Sequence, residues 1–580
     1  MHTAAAFAPR LRQDLLDAGY TIAQLRELFG PRAEAALERE QFLPALTSAR
    51  ERPGPGATLA RLFLLGDAVT TAELMAALPR TGAEVIEAGL VAPASQDAPR
   101  SQDLLHAAVD LRPVDLGAGE FFLTSDVGES TTGAAIETEH VLGAGWATRT
   151  LAELTVRTPV HRALDLGTGS GIQALGLSTL ATSVVATDIS VRTLEFSAFN
   201  AALNGIALGG TPGQHTEYLH DGAGCVGHVS PGVGTGSGGS NGAGSGAGAG
   251  STSTGPTGVA DPTGTADPSL ADGAGVVELR RGSLLQPVAG EQFDLVVSNP
   301  PFVITPRGSD ALPEYTYRDA GGTGDEMARG LVTGLRPHLA PGGIAQMLLN
   351  WEIRDLQDPF ARVLQWCRDS GLDAWIIGRD VSDPCEYAET WLRDGGITPE
   401  RDRKAWERGY HAWVADFDRR GVLAVGFGYL ILHRPQRADQ EQWLRAEQIT
   451  TRPPGALGGA IAATLEAKDA LAHLDEAALA DCALTVAGDV TEERHYRPGS
   501  TDPEVILLHQ GGGFGRSVRA DTALAAVVGT SDGELTVAQI AAGVAALTDT
   551  EPQAVLESVL PDIRGLILDG FLRLPGYRKG

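Results

Sequence analysis

Short apolar runs alternate with helix-like patterns through the middle of the chain. The runs are rich in Val, Ile and Leu and are bounded by turn residues, which is typical of buried strands. Strands that alternate with helices predict a mostly parallel sheet covered by helices, which is an α/β fold. The predicted strands span residues 162–166, 183–187, 276–280, 293–298, 343–349, 373–377 and 422–432.

Both ends of the chain carry a different pattern, in which helical stretches lead into short apolar strands. Thr70 with Glu73, and Thr536 with Gln539, each fit a capping box that opens a helix. The order of elements is similar to that of a winged helix, a fold that often binds DNA. The third helix of each copy carries too few cations to follow a nucleic-acid groove, so packing or protein contact is favoured.

Residues 209–275 interrupt the α/β pattern. Of these 67 residues, 21 are Gly, five are acidic and none is Lys or Arg. Such a segment lacks the apolar area that folding alone would require, so we predict that it is disordered. The residues before it resemble the end of a helix, and the residues after it resemble the start of a strand. The α/β pattern therefore continues across the segment, which predicts an insertion inside one domain. A long loop of this kind is thermodynamically tolerable.

These patterns predict a chain of three folded regions. Residues 1–132 are expected to form a helical, winged-helix-like domain with a short β segment. Residues 133–435 are expected to form the α/β domain, interrupted by the 209–275 insertion, and residues 436–580 a second winged-helix-like domain.

Composition narrows the class of protein. The 580 residues are 43% hydrophobic and 20% charged, as in ordinary globular proteins. With 45 Lys and Arg against 73 Asp and Glu, the net charge of −28 excludes a protein that coats nucleic acid. The four cysteines lack metal-ligand spacing, so we predict no metal site and expect the protein to reside in a reducing cytoplasm. We also predict no secretory signal and no membrane span.

A glycine-rich motif follows the first predicted strand. Gly167, Gly169 and Gly171 allow a tight turn and a close approach of the backbone to a ligand before a helix begins. Dinucleotide-binding loops prefer the spacing G-x-G-x-x-G. Here the spacing is G-x-G-x-G after Asp165, an acid that would repel a pyrophosphate but suits a ligand that bears an ammonium group.

The next predicted strand ends in Asp188. This carboxylate stands roughly 20 residues after the loop begins, where a ribose diol is commonly held. A glycine-rich turn alone is a weak signal, and an Asp at the end of a strand often caps a helix. The complete order of strand, glycine loop, helix, strand and acid favours ligand binding over either structural explanation.

A second motif, Asn-Pro-Pro-Phe, occupies residues 299–302. Pro300 and Pro301 cannot continue a central strand, so the chain must leave the sheet at its ligand-binding carboxyl edge. The side chain of Asn299 and the main chain of Pro300 offer two carbonyl acceptors for the two hydrogens of one planar amino group. Phe302 can stack on the flat group that bears the amine. A Pro-rich turn would explain the prolines but not their two neighbours.

Together the motifs resemble those of class I S-adenosylmethionine-dependent methyltransferases. Asn-Pro-Pro-Phe is similar to the motif of members that methylate adenine in DNA and RNA, guanine in ribosomal RNA, or glutamine in release factors. The resemblance covers residues 133–435 without the insertion. It implies a Rossmann-like sheet, S-adenosyl-L-methionine as cofactor, and catalysis at Asn299, Pro300, Pro301 and Phe302.

The resemblance also assigns cofactor contacts. It implies that the glycine loop lines the methionine end and that Asp188 holds the ribose. In this family the following strand usually ends with an acid near the adenine, and Ser283 stands nearest to that place. The cofactor-binding residues it implies are Asp165, Gly167, Thr168, Gly169, Gly171, Asp188, Ser283 and Asn299.

The mechanism implied is methylation of a planar amine, whose lone pair is delocalised and therefore a poor nucleophile. Acceptors at Asn299 and Pro300 could hold the amine out of conjugation, so that positioning and electrostatics supply the rate. This chemistry requires no metal and no covalent nucleophile.

The loop after the motif carries candidate substrate residues. Arg307 and Arg318 could contact a phosphate, and Tyr315 or Tyr317 could stack on a base, although the same side chains could bind a peptide. A second basic and aromatic stretch, 401–420, is more typical of a packing face than of an RNA contact.

We therefore predict an enzyme that methylates an exocyclic base amine in RNA, either ribosomal or transfer RNA, or in DNA. Its expected partner is a structured RNA or a ribosomal particle. Two alternatives remain open, a methyltransferase for protein glutamine and a non-catalytic binding module that keeps the cofactor fold.

Overall fold

The computed structural model describes residues 5–93, 104–132, 137–209, 275–306, 315, 318–319, 322–437, 440–451, 453 and 455–576. Residues 1–210 and 274–580 form one compact unit. Within the described ranges, no helix is long and apolar enough to cross a membrane. The predicted insertion at 209–275 and the loop around Arg307 and Tyr317 lie almost entirely outside these ranges.

The N-terminal region is mainly helical and contains two small antiparallel sheets. The predicted capping box is confirmed, because the Thr70 hydroxyl accepts from the Glu73 amide and the Glu73 carboxylate accepts from the Thr70 amide. A single π-helical turn follows the fourth helix. The elements are α1 (Ala8–Asp17), α2 (Ile22–Leu37), α3 (Leu43–Glu51), α4 (Pro55–Leu59), β1 (Val69–Thr70), α5 (Thr71–Ala77), α6 (Gly82–Glu87), β2 (Val91–Pro93), β3 (Leu104–Ala107), β4 (Asp110–Asp115), β5 (Glu120–Ser125), α7 (Glu129–Thr132) and α8 (Trp146–Leu154).

The central region is the predicted Rossmann-like α/β core. Apolar residues at nearly every position bury its middle strands on both faces, as a sheet covered by helices requires. The elements are β6 (Val160–Leu166), α9 (Ile172–Leu177), β7 (Ala181–Asp188), α10 (Val191–Leu203), β8 (Val276–Arg281), β9 (Phe293–Ser298), α11 (Glu326–Gly334), β10 (Leu339–Ile353), α12 (Ala361–Ser370), β11 (Asp373–Ser382), α13 (Pro384–Asp394), α14 (Arg403–Arg420), β12 (Ala424–His433) and β13 (Leu444–Gln448).

These strands form one mixed sheet of eight in the order β13-β11-β12-β10-β9-β6-β7-β8. β12 runs antiparallel to both of its neighbours, and the other neighbouring pairs are parallel. The order reverses between β6 and β9, which places a topological switch point at their carboxyl ends. β13 lies beyond residue 435, where we expected the α/β domain to end.

The chain on the two sides of residues 210–274 belongs to the same part of this sheet. The Gly209 amide donates to the Val277 carbonyl over 2.8 Å, and the Gly275 amide donates to the Ser178 carbonyl over 2.7 Å. Both contacts lie at the amino ends of β7 and β8, opposite the edge at which the switch point opens.

Helix α10 joins the N-terminal region to the core. Its Phe199 is fully buried in the apolar cluster of the N-terminal helices. Its buried Asn200 donates to the carbonyls of Thr124 on β5, over 2.9 Å, and of Ser170 in the glycine loop, over 2.7 Å. The Asn200 carbonyl in turn accepts from the Thr124 amide over 2.8 Å. One side chain therefore connects the β4–β5 hairpin with the cofactor loop.

The C-terminal region packs on the other end of the sheet. Ile461 and Leu465 on its first helix belong to the apolar cluster of the core. Buried Lys468 contacts Asp373 at the start of β11. The capping box at Thr536 and Gln539 is confirmed. The elements are α15 (Gly458–Leu471), α16 (Glu476–Ala480), β14 (Thr485–Val486), β15 (Val490–His495), β16 (Val505–Gln510), β17 (Ser517–Ala520), α17 (Thr522–Thr530), α18 (Val537–Thr548), α19 (Pro552–Leu568) and β18 (Leu572–Arg573). The winged-helix assignment of both ends of the chain stays a prediction.

Candidate functional site

A cavity of about 410 Å³ opens at the carboxyl ends of β6, β7 and β9, at the topological switch point. Volumes of this order are typical of small-molecule and cofactor sites. Most of the predicted residues of both motifs meet in it. The predicted residues that line the cavity are Gly167, Thr168, Gly169, Asp188, Ser283, Asn299, Pro300, Pro301 and Tyr315.

The glycine loop has a conformation that other residues rarely adopt. Gly167, Gly169 and Gly171 have φ angles of +75°, +55° and +86°. A Cβ on Gly167 or Gly169 would meet nothing within 4 Å, whereas a Cβ on Gly171 would lie 3.1 Å from Ser197. The first two glycines therefore keep space open for a ligand, and the third allows α10 to pack closely.

Asp165 lies beneath the loop and does not line the cavity. Its Oδ2 accepts from the Thr168 hydroxyl over 2.6 Å and from the Ala174 amide over 2.9 Å. Burial raises its pKa to about 7, and the nearby charge of Asp188 adds to this effect. The Asp165 side chain therefore holds the loop and the start of α9 in place, and its contact with the methionine end stays a prediction.

Asp188 projects into the cavity from the end of β7. Its two carboxylate oxygens accept from the amides of Gly169, over 3.0 Å, and of Ser190, over 2.9 Å. Each oxygen has a second lone pair that remains available to a ligand hydroxyl. Ser283 lies in the exposed turn after β8, the neighbouring strand, so the two predicted contacts of the nucleoside share one side of the cavity.

Asn299 carries the least satisfied polar atom of the site. Its Oδ1 is buried and has no hydrogen-bond partner among the residues that the structure describes. Leaving a buried acceptor without a partner costs about 1–3 kcal/mol. The preceding residue, Ser298, donates to the Leu166 carbonyl over 2.8 Å, which fixes the end of β9 against the end of β6.

Phe302 does not stack where it was predicted to. Its ring packs against Trp391 and Phe427 at centroid distances of 6.2 and 5.7 Å, and it is not among the residues that line the cavity. The reason is that the chain turns away after Pro301. Val303 and Ile304 are then buried against α13 and α14.

The predicted substrate residues divide into three groups. Tyr315 lines the cavity, but its hydroxyl donates to the Gly395 carbonyl over 2.8 Å. Arg318 is buried, donates to Asp394 over 2.9 Å and stacks on the Tyr315 ring, so its guanidinium is engaged within the chain and its phosphate contact stays a prediction. Arg307 and Tyr317 lie outside the described residues.

The basic and aromatic stretch on α14 is a packing face. Trp413 is buried against Tyr387 at a centroid distance of 5.6 Å. Arg420 contacts both Glu352 and Asp416. The packing interpretation is therefore favoured over RNA contact.

The cavity wall also contains residues that sequence reasoning missed. Residues 139–142 line it before α8, together with Thr148 on that helix. Burial lowers the pKa of His140, and its Nδ1 lies 3.9 Å from Asp126. The stretch carries no motif, so only its position directly before the α/β core could have indicated it.

Comparison with known proteins gives short matches. Residues 149–217 match the family described as ribosomal protein L11 methyltransferase (PrmA), and residues 17–102 match a domain of unknown function (DUF7059). A release factor glutamine methyltransferase of Xylella fastidiosa is 33% identical over 92 residues, which are 14% of this chain and 32% of that protein. The chain thus spans about a third of the length of this curated relative.

Two similar solved structures, both with low TM-scores, are a methylase and a methyltransferase. A ribosomal protein L11 methylase from Lactobacillus delbrueckii subsp. bulgaricus is 20% identical, with 40% of this chain and 72% of that chain covered and a TM-score of 0.21. A methyltransferase from Pyrococcus furiosus is 13% identical, with 53% and 92% covered and a TM-score of 0.24. Scores this low do not define a function. The sequence matches agree with the predicted class, an S-adenosylmethionine-dependent methyltransferase.

Proposed function

We propose that the chain is an S-adenosylmethionine-dependent N-methyltransferase that acts on a planar amino group. The observation that carries the proposal is the buried Oδ1 of Asn299, an acceptor without a partner in the described part of the chain. Asn299 lines the same cavity as the glycine loop and Asp188, so an amine that enters beside a bound cofactor could donate to this acceptor.

The residues present fit this cofactor. Gly167 and Gly169 leave open space where a side chain would stand, as close approach of a ligand to the backbone requires. Asp188 offers two oxygens for the ribose hydroxyls, and Ser283 lies on the adenine side. When bound there, S-adenosylmethionine supplies an electrophilic methyl group on a sulfonium sulfur.

Asn299 and Pro300 do the positioning in this mechanism. The Asn299 Oδ1 and the Pro300 carbonyl each accept one hydrogen of the substrate amine and aim its lone pair at the methyl carbon. The bound cofactor would supply the methyl group and would be left as S-adenosylhomocysteine, while the amine nitrogen would give up one proton to solvent. Orientation of the amine by Asn299 and Pro300 is the main source of rate in such a displacement.

The amine belongs either to a nucleic-acid base or to a carboxamide. The first candidate is a base in structured RNA, in a ribosomal particle or in DNA. Its exocyclic amine is planar, and Asn-Pro-Pro-Phe suits any planar amine. The amide of a protein glutamine is the second, and the release factor glutamine methyltransferase relative favours it. The flanking regions, 1–132 and 436–580, would be winged-helix-like domains that present the substrate. The enzyme would act in the cytoplasm, and residues 209–275 would be an insertion within its α/β domain.

Two measurements test the proposal in sequence. Isothermal titration of the full chain with S-adenosylmethionine should give one site. Incubation with cofactor labelled in its methyl group should then transfer the label into a fraction of bacterial lysate. Treatment of that fraction with nuclease or protease identifies a base or a protein as the acceptor.

Binding of the cofactor without label in RNA, DNA or protein would leave the non-catalytic module as the better description. Absence of cofactor binding would overturn both the enzyme and the non-catalytic module as descriptions of this chain.

A further inference from the structure

A groove of about 1020 Å³ adjoins the cofactor cavity, and the two share His140 and Leu142 in their walls. The end of α2, the β4–β5 hairpin and α8 form one side of the groove, and residues of the core sheet form the other. We name it the Trp146 groove after its most exposed aromatic side chain, which has 66% of its surface exposed.

A series of aromatic rings links this groove to the Asn-Pro-Pro-Phe motif. Phe302 lies 5.7 Å from Phe427 between ring centroids, and Phe427 lies 5.4 Å from Trp146. Exposed Trp side chains are uncommon on surfaces without a partner and are enriched where a ligand binds. The rings place the groove next to the motif, and the shared residues His140 and Leu142 join it to the cavity.

The groove is acidic. Among the described residues that line it are seven carboxylates and four guanidinium groups. Four of the carboxylates are engaged within the chain, since Asp110 pairs with Arg112, Asp126 with Arg192, Glu129 with Arg401 and Asp394 with Arg318.

The other three carboxylates belong to Glu38, Glu40 and Glu153. They are exposed and have no ion pair within the described ranges. Two lining cations, Arg149 and Arg379, are likewise without an ion pair within the described ranges, and Arg379 donates to the carbonyls of Ile449 and Thr451. The unpaired charges that line the groove are thus three negative and two positive.

We propose that the Trp146 groove binds a basic polypeptide segment that presents a carboxamide side chain to Asn299. This inference rests on the proposed function and chooses between its two substrates. Complementary charge attracts a cationic chain to Glu38 and Glu153, and Trp146 packs against its side chains. A carboxamide is a neutral planar amine that a polypeptide can supply, whereas the planar guanidinium of Arg is charged.

Nucleic acid fits the same surface poorly. A strand that crosses the groove would place a phosphate charge every few ångströms along a wall of carboxylates. Arg318, the described cation that was predicted to contact phosphate, is already paired with Asp394. The net charge of −28 adds a long-range repulsion that such a substrate would also have to overcome.

The test measures binding to the full chain in the presence of S-adenosylhomocysteine. The probes are fluorescent peptides with one central glutamine, flanked by arginines in one and by glutamates in the other, and a single-stranded RNA of similar length. We expect the arginine-flanked peptide to bind at least about tenfold more tightly than either of the others at low ionic strength, with a smaller difference at about 0.15 M salt.

Variants locate the binding surface. Glu38→Lys with Glu153→Lys should weaken binding of the arginine-flanked peptide about tenfold, and Trp146→Ala by a similar factor. Both charge changes lie near helix C-termini, where cations are tolerated. The matched controls are Glu534→Lys with Asp562→Lys, which make the same change in net charge on the C-terminal region, and Tyr496→Ala at another exposed ring.

Equal binding of the two peptides, tighter binding of RNA, or equal effects of groove and control variants would each overturn this inference. Those outcomes leave the proposed function intact if the methyl label enters a nucleic acid. Conversely, selective peptide binding without any methyl transfer would support the groove and refute the enzyme.

Discussion

The two loops that meet in the cofactor cavity differ in how fully their polar groups are satisfied. In the glycine loop, the amides of Gly167 and Thr168 both donate to the Thr187 carbonyl, and Asp165 anchors the loop from below. In the Asn-Pro-Pro-Phe loop, by contrast, the Asn299 Oδ1 is buried without a partner in the part of the chain that the structure describes.

This difference separates two kinds of site. A loop whose hydrogen bonds are complete holds its shape before a ligand arrives, which lowers the cost of binding. A buried acceptor that lacks a donor is destabilising by itself and becomes favourable when a donor enters. The first loop is therefore suited to hold a cofactor, and the second to recognise an amine.

The largest effect is expected from Asn299→Ala. Removal of the unpartnered acceptor should lower kcat by about 10²–10³-fold, because it orients the amine, while the Kd of S-adenosylmethionine changes less than about twofold. Methyl transfer and titration calorimetry on the same preparation measure the two effects. Activity within about threefold of the parent would refute the acceptor role.

Asp188→Ala should affect the cofactor Kd more than kcat, which is the reverse of the result expected for Asn299→Ala. Asp188 accepts from the Gly169 amide and is proposed to bind two ribose hydroxyls, so its loss should raise the cofactor Kd about 10–100-fold. At saturating cofactor, kcat should fall far less than in the Asn299 variant. If kcat falls as far and Kd stays constant, the two loops do not have the separate roles assigned to them.

Asp165 should make the stability of the glycine loop depend on pH. Because burial raises its folded pKa to about 7, protonation favours the folded chain, and this stabilisation is complete below the unfolded pKa. It is lost as pH rises from about 4 to 7, by up to about 1.4 kcal/mol per pH unit.

Asp165→Asn should flatten that pH dependence. Urea unfolding of both proteins at several pH values between about 4 and 8 measures the effect. Parallel curves for the two proteins would show that the Asp165 carboxyl does not titrate differently in the folded chain.

The smallest effect is expected when a short Gly-Ser linker replaces residues 211–273. The nearest described residues on its two sides, Gly209 and Gly275, lie at the amino ends of β7 and β8, whereas the cavity lies at the carboxyl ends. The cofactor Kd should therefore change less than about twofold. Loss of folding would refute the assignment of these residues to an insertion within one domain.

The sheet was largely predictable, because its strands are buried on both faces and their apolar character stands out. Each of the seven predicted strands overlaps one of β6 to β12. β13 was missed because its sequence, Leu-Arg-Ala-Glu-Gln, lacks that character. It becomes a strand through pairing with β11, a tertiary interaction that local sequence does not record.

The positions of the site residues were easier to predict than their partners. Turn chemistry places the glycines, Asp188 and Asn299 at the ends of strands, and all of these strands end at one edge. The ion pair of Arg318 could not be foreseen, because its partner, Asp394, stands 76 residues further along the chain. The place of Asp165 beneath the loop could not be foreseen either, because sequence position does not show on which side of a loop a carboxylate lies.

Asn200 has a consequence for regulation. Its amide group holds Thr124 in the N-terminal hairpin and the Ser170 carbonyl in the glycine loop at the same time. Binding free energies at two sites are reciprocal, so any factor by which the cofactor alters affinity at the hairpin must equally alter the affinity for the cofactor. A molecule that bound the hairpin and moved this carboxamide would therefore change the affinity of the cavity for its ligand.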